Sequence, residues 1–528
     1  MKKVSLAAII LLQGSKMMAQ DSGVLTGSFE SYNQYYVGDN KTNSEVPDSR
    51  IGSNNYLKLD YRKGNFTFGI RYEGYFPPLL GYPMEFEGRG IANRFASFEN
   101  ELLKVTGGNL YEQFGSGLVL RAFEERLLGI DNSIDGVNVH LNPYSGITLK
   151  GVLGEQRDFF ELSEGQVRGF DSEFSMKQLM GFKKNADLVL GFSAVSKFQE
   201  YTGPDEDFPE IVNAYSYRMA VQGTKANLEL EYATKSPDPS ETNNFGMEDG
   251  SAALLRIGYF IPNLGANLTL RRIENFDFRS DRQASITRLW MNYVPAETRQ
   301  HGYLLSNIYP YNAQNQGEAG GQIDLTYNLK KGSGLGGKYG TNVSVNFAKY
   351  NSLKLADEQE GTTDFLGLGN IEYYEDFNVE VKRKISKKYR MIFGYVSQKY
   401  NRQIVEGIPS DLIETDIAIV EAQLKFPKRR SARVELQHLW TTQDQKEWLA
   451  YLVEYNMAPK WSLYVFDQYN YGAEEKVHYY QAGFAYIKGA TRIAGSYGRQ
   501  RGGLLCVGGV CRFVPFATGW NLNISTSF

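Results

Sequence analysis

The last ten residues, Gly519-Trp-Asn-Leu-Asn-Ile-Ser-Thr-Ser-Phe528, alternate without a break. Successive side chains of an extended chain point to opposite faces. Trp520, Leu522, Ile524, Thr526 and Phe528 therefore share one face, and Asn521, Asn523, Ser525 and Ser527 share the other. The strand is apolar on one side, small and polar on the other, and stops on an aromatic ring. What it can fold into depends on what meets the apolar side: a second sheet or lipid.

The same alternation recurs along the chain. Val137, Val139 and Leu141 alternate with Asn138, His140 and Asn142; Leu228, Leu230 and Tyr232 with Asn227, Glu229 and Glu231. Ile323, Leu325, Tyr327 and Leu329 alternate with Gln322, Asp324, Thr326 and Asn328, and Val420, Ala422, Leu424 and Phe426 with Glu421, Gln423 and Lys425. Any one of these would serve as a half-buried strand in a soluble sandwich. The polar face argues otherwise. It carries Asn, Gln, Asp, Glu, Lys and Arg in strand after strand, as a water-filled lumen requires. Aromatic residues make up 14% of the chain and glycine contributes 54 residues, which suits interfacial girdles and many turns. A mean hydropathy of -0.41 fits a barrel, since only alternate residues of each strand would face lipid.

Connections alternate in length. Lys63-Gly64, Lys183-Lys184-Asn185, Pro262-Asn263 and Lys488-Gly489 are short and mostly basic; Asp39–Ser49, Tyr201–Glu210, Pro237–Asp249, Phe278–Glu318, Lys354–Asp364 and Gly502–Thr518 are longer. Two of the longer ones are acidic, with Asp205, Glu206, Asp207 and Glu210 in one and Asp357, Glu358, Glu360 and Asp364 in the other. These acids read either as solvated surface or as a negative outer vestibule. Pairing the runs predicts an all-β fold: one transmembrane antiparallel up-and-down β-barrel of about 24 strands, in a range of roughly 20–26, with short periplasmic turns and long extracellular loops. The Phe114–Ile134 stretch fits this scheme least well and reads as strand, bulged strand or inward fold. Met1-Lys2-Lys3 followed by the apolar run Val4–Leu12 and by Met18-Ala19-Gln20 reads as a signal peptide over residues 1–20, leaving 21–528 for the barrel.

Candidate chemistry is sparse. The four histidines, His140, His301, His438 and His478, are scattered, and Gly115-Ser116-Gly117 lacks the spacing of a nucleophile elbow, so no enzyme activity and no cofactor are expected. A net charge of -3 argues against a nucleic-acid partner. Cys506 and Cys511 flank a Gly-Gly turn, which predicts a disulfide-bridged hairpin rather than a metal site. The dense charges Arg121, Glu124, Glu125 and Arg126, and more weakly Arg271 or Arg272, are candidates to line a constriction; the competing reading is an ordinary salt-bridged loop.

The Gly108–Gly136 stretch, the Gly502–Gly519 loop and the Phe528 terminus together resemble a porin-like family of Bacteroidota outer-membrane β-barrels of unknown function. The resemblance covers nearly the whole chain. It implies residence in the bacterial outer membrane, with lipid and the barrel-assembly machinery as partners and Phe528 as the recognition signal for insertion. It implies no activity. The ligand-gated transporters of that membrane are a poor match, because the barrel pattern begins near the mature N-terminus and leaves no room for a plug domain. Two functions remain: a passive channel for small hydrophilic solutes, or a structural docking partner in an envelope secretion or assembly complex. The Phe278–Glu318 loop, with Trp290, Tyr303, Tyr309 and Tyr311, would narrow the pore if it folds inward, and would pack outside otherwise.

Overall fold

The computed structural model describes residues 23–42, 44, 46–181, 185–203, 208–357 and 362–528. The expected signal peptide, and the acidic residues Asp205, Glu206, Asp207, Glu358 and Glu360, lie outside these residues. The fold is a single closed antiparallel barrel of 24 strands. Each wall strand pairs with the next wall strand along the chain. Leu103–Leu110 pairs with Ile134–Tyr144 across the intervening loop, and Thr491–Gln500 with Ala517–Ser527. The first strand, Val24–Val37, closes the cylinder against the last, Ala517–Ser527, in a register that sets Tyr35 beside Trp520 and Phe29 beside Thr526.

The alternation read from sequence sorts the two faces. Val137, Leu230, Leu325 and Val420 stand exposed on the outside of the wall. Their neighbours Asn138, Glu231 and Glu421 are buried on the inside. Rings mark the two edges of the apolar belt. Trp461, Phe426 and Phe528 lie near the short turns, and Trp440, Tyr469 and Trp520 near the long loops. Trp461 and Tyr469 are eight residues apart on one strand. That is about 26 Å along the chain, and roughly 20 Å along the axis of a barrel with a typical strand tilt of about 40°.

Closure depends on the seam. The Gly27 and Phe528 backbones exchange two hydrogen bonds, of 2.8 and 2.9 Å. A side chain at position 27 would meet the Phe528 ring at 2.5 Å, so the glycine provides the space in which the terminal ring sits.

Connection lengths follow the expected alternation with four differences. Phe159-Phe160 is a two-residue link at the long-loop end, and residues 330–340 form a longer connection at the turn end. The turn expected at Lys183-Lys184-Asn185 belongs to a longer connection that opens with the helix Met176–Met180, Lys183 and Lys184 lying outside the described residues. Of the stretch expected as loop over Lys354–Asp364, the described residues, 354–357 and 362–364, are strand. Thr341–Asp357 and Thr362–Lys384 continue as a hairpin well past the wall, their register shifting repeatedly above Tyr350. The hairpin leans over its neighbours, with Phe365 against Tyr232 and Thr363 bonded to Glu274 at 2.7 Å. Sequence charge suggested a loop there; β-rich Leu-Lys-Leu and Phe-Leu-Gly-Leu segments and contact with the wall favour strand.

Candidate functional site

The inner wall is not polar throughout. Near the long-loop end, on adjacent strands, it presents Val195, Ala214, Ala233, Ala252 and Ile273, all buried. Small apolar residues facing a lumen need something apolar to cover them. Two loops supply it. Residues 111–133 bring in Phe114, Leu118, Val119 and Leu120, and residues 275–316 bring in Phe276, Phe278 and Met291, forming one apolar core with the wall. Phe114–Ile134 is therefore an inward fold, built on the small ladders Gln113–Phe114 with Leu120–Arg121 and Glu124–Glu125 with Ile130–Asp131.

The long loop then crosses the mouth. Its later residues Leu305, Ile308, Tyr309 and Tyr311 pack against Tyr350, Tyr374, Tyr400, Leu439 and Trp448 on the opposite wall, in a second apolar core. The aromatic-rich loop thus folds inward. Backbone pairing ties the layer together: Arg121 donates to Met291 at 2.7 Å, Tyr293 to Gly117 at 2.9 Å, and Ala296 to Gly509 at 3.0 Å. Gly509 sits in the left-handed region, φ 78°, and a side chain there would come within 2.7 Å of the Ala296 carbonyl oxygen.

Charge fastens the layer to the wall. Arg71 touches Glu73, Glu124 and Asp131, and Arg157 reaches Glu73 at 2.7 Å and Asp131 at 2.5 Å. Glu73, Glu124 and Asp131 bring carboxylate oxygens within 4.8 Å of one another. The two guanidinium groups already supply the positive charge that a metal ion would bring there. Burial would raise the Asp131 pKa, but Arg157 and Arg71 outweigh it and hold the carboxyl below its usual range. On the opposite side His301 meets Asp376 at 2.7 Å, Arg299 meets Asn378 at 2.6 Å, and Arg256 meets Glu297 at 2.6 Å.

The charged residues singled out from sequence fall in or against this layer, except Arg272. Arg126 bonds Glu124 at 2.7 Å and Glu30 at 2.9 Å, and Glu125 accepts from the Leu127 amide at 3.0 Å. Arg121 stacks on Tyr293, 3.8 Å from the ring centroid. Of the adjacent pair, Arg271 faces inward, bound to Glu318 and to the Pro295 carbonyl oxygen. Arg272 faces outward under Phe365. Arg121 and Arg271 line a cavity of about 350 Å³ with Glu229, Arg256 and Glu297. Sequence reasoning missed Arg71, Arg157, Glu318 and Asp376. Each sits at an inward position of a wall strand like many other polar residues, with partners on neighbouring strands and on the folded loop that a single sequence does not place beside it.

Cys506 and Cys511 are disulfide-bonded across the turn of the hairpin Gly503–Val507 with Val510–Val514. The bridge closes a short loop, five residues in sequence separation. Chain entropy alone assigns such a loop about 2 kcal/mol. Replacing both cysteines with serine is expected to loosen the hairpin while leaving the barrel folded. Hydrogen exchange should show faster exchange confined to 503–514; faster exchange in the wall strands would contradict a local role.

Fold and site together define the class: a large outer-membrane-type β-barrel whose own loops form a packed layer in its mouth. The chain belongs to the family of unknown function DUF6029, which matches residues 1–528. No curated protein matches it. Among solved structures it is similar to the siderophore receptor PirA from Pseudomonas aeruginosa, at 7% identity and TM-score 0.38, covering 97% of this chain and 81% of that one. OccAB3 from Acinetobacter baumannii matches at 9% identity and TM-score 0.36, with 96% and 98% covered. The translocation pore of the P pilus usher PapC matches at 9% identity and TM-score 0.34, with 96% and 99% covered.

Proposed function

We propose that this chain is a porin-like channel of the bacterial outer membrane that passes small hydrophilic solutes, its inward loops setting the size limit. The observation that carries the reading is the pairing of an apolar outer belt with a polar inner wall in a cylinder of 24 strands. At that strand number side chains cannot fill the interior. Polar cavities remain: the one lined by Arg121 and Arg271 in the mouth layer, and one of about 540 Å³ whose lining runs from Arg299 and Tyr303 of that layer down to Arg390, Gln423 and Glu454 near the short turns. In this reading Arg121 and Arg271 line the route, while Glu124, Glu125 and Arg126 hold the loop that borders it. The reading includes a signal peptide over residues 1–20, insertion by the barrel-assembly machinery with Phe528 as its signal, and no catalysis.

One observation favours a second function. Two apolar cores join loops to wall across the mouth, which suits a sealed barrel acting as a docking partner in an envelope complex. Planar-bilayer recording separates the two. A channel should give steady ohmic current, well below that of an unobstructed barrel of the same strand number. Silence at every applied potential would overturn the channel and leave the docking role.

A further inference from the structure

A cavity of about 490 Å³ lies between the disulfide hairpin and the crossing loop, at the mouth of the barrel. That volume suits a small solute. Its walls differ from those of the other two cavities in one respect. Glu229 and Glu297 line the one beside Arg271, and Glu380, Glu421 and Glu454 the one beside Arg390. Among the described residues lining this cavity there is no aspartate or glutamate, in a chain that has 60 of them. Arg299, Arg499, Arg501 and His301 all border it.

Three of these groups are already held. Arg299 is spent on Asn378 and Glu380, Arg499 on Asp39 at 2.6 Å, and His301 on Asp376. Arg501 is not. Among the described residues it makes no ion pair and no side-chain hydrogen bond. Burial pulls its pKa below the ordinary value, opposed only by the phenols of Tyr309 and Tyr479 and by the carboxylates of Glu406 and Asp444. Its guanidinium rests over Gly503, where a side chain would come within 3.2 Å of it, and the backbone there is left-handed at φ 128°. The side chain is only partly buried, so its guanidinium opens onto the cavity, and an unpaired guanidinium there presents its N–H fork to an anion. The rest of the lining is suited to a hydroxyl-rich body. Gln34, Gln468, Gln481 and Asn521 offer neutral donors and acceptors, and Phe466 and Tyr479 offer ring surface.

We propose that this cavity binds a small sugar-like anion, with Arg501 taking its carboxylate or phosphate and the wall amides taking its hydroxyls. The inference deepens the channel reading and rests on it, since a site in the mouth would decide which solutes are concentrated at the lumen.

The test is titration calorimetry of the full-length protein in detergent with glucuronate, glucose 6-phosphate, glucose and glucosamine. Both anions should bind, with the preferred one separating a carboxylate site from a phosphate site. Glucose should bind at least about tenfold more weakly, and glucosamine not at all. Arg501→Gln should weaken anion binding roughly 10- to 100-fold, the value of one charge-assisted contact. Arg501→Lys should restore part of it, and Arg168→Gln, on the outer wall, should change nothing. Equal binding of glucose and the anions, or an unchanged affinity in a folded Arg501→Gln protein, would overturn the site. Bilayer recording keeps the two claims apart. Anion binding without current removes the channel and leaves the site; current without anion binding removes the site and leaves the channel.

Discussion

Arg71→Ala is expected to release the 111–133 loop from the lumen while the barrel stays closed. Arg71 and Glu73 belong to the wall strand Phe66–Tyr75, Arg157 to the strand Ile147–Asp158, and Glu124 and Asp131 to the loop. Without Arg71, three carboxylates are left to Arg157 and Arg126. Removing one partner from a buried charge network costs about 3–5 kcal/mol, because the remaining charges stay desolvated. The wall ladders do not depend on that network, so the cost falls on docking of the loop. Trypsin or chymotrypsin should then cut between residues 111 and 133 at neutral pH, and single-channel current should rise. Arg71→Lys should recover little, since an ammonium is a point charge and cannot reach three carboxylates as a planar guanidinium does. Acid should do the same to the unmodified protein. Asp131 has its pKa depressed by docking, so its contribution is present above the ordinary carboxylate value and is lost as pH falls through the depressed one. The loop should therefore stay protected down to about pH 4 and become cleavable below it. Full protease resistance of Arg71→Ala at pH 7 would show that the apolar contacts of Phe114 and Leu120 suffice alone.

The wall was legible because its code is local. A period of two and a lapse into Gly, Asn, Lys or Pro every ten residues or so are visible without knowing any distant contact, and they place the strands and nearly all connections. The mouth was not legible in the same way. Trp290, Tyr303, Tyr309 and Tyr311 suit an inward loop and an outward one equally, so the loop itself does not decide. The deciding signal is on the wall: the inward row Asn227, Glu229, Glu231 turns to Ala233 before its last residue, Lys235, and neighbouring strands place Ala214 and Ala252 beside it. Polar inward rows that turn small and apolar at one end announce an occupant. Reading them needs the strand register, which one sequence alone does not fix. The ion pairs are further out of reach, because Arg71 and Asp131 stand 60 residues apart, and Arg271 and Glu318 stand 47. The extended hairpin over 341–384 was misjudged because charge near its tip outweighed the strand-forming residues on either side.

Filling position 27 should damage the barrel more deeply than truncating the ring that sits on it. Phe528→Ala keeps the backbone, and with it the pair of hydrogen bonds to Gly27. It loses only the contact of a half-exposed ring, on the order of 1–2 kcal/mol. Gly27→Val places a branched side chain where the ring atoms already lie at 2.5 and 2.6 Å, so the ring must leave and the first and last strands must part or shift to admit both. A shift of one residue would turn every side chain of the closing strand to the wrong face, putting Asn521 and Asn523 outside and Trp520 and Leu522 inside. Refolding the purified chain into detergent therefore should leave Phe528→Ala close to the unmodified protein and Gly27→Val largely unfolded, read as heat-modifiable mobility and trypsin resistance. Expression in cells adds a second reading. If Phe528 also serves as the signal for insertion, Phe528→Ala should fail to reach the membrane although it refolds in the tube, while Phe528→Trp should pass both tests. Normal refolding of Gly27→Val would mean that closure rests on the ladder between Ser28–Val37 and Thr518–Ser527, and that the terminal ring contributes nothing to the seam.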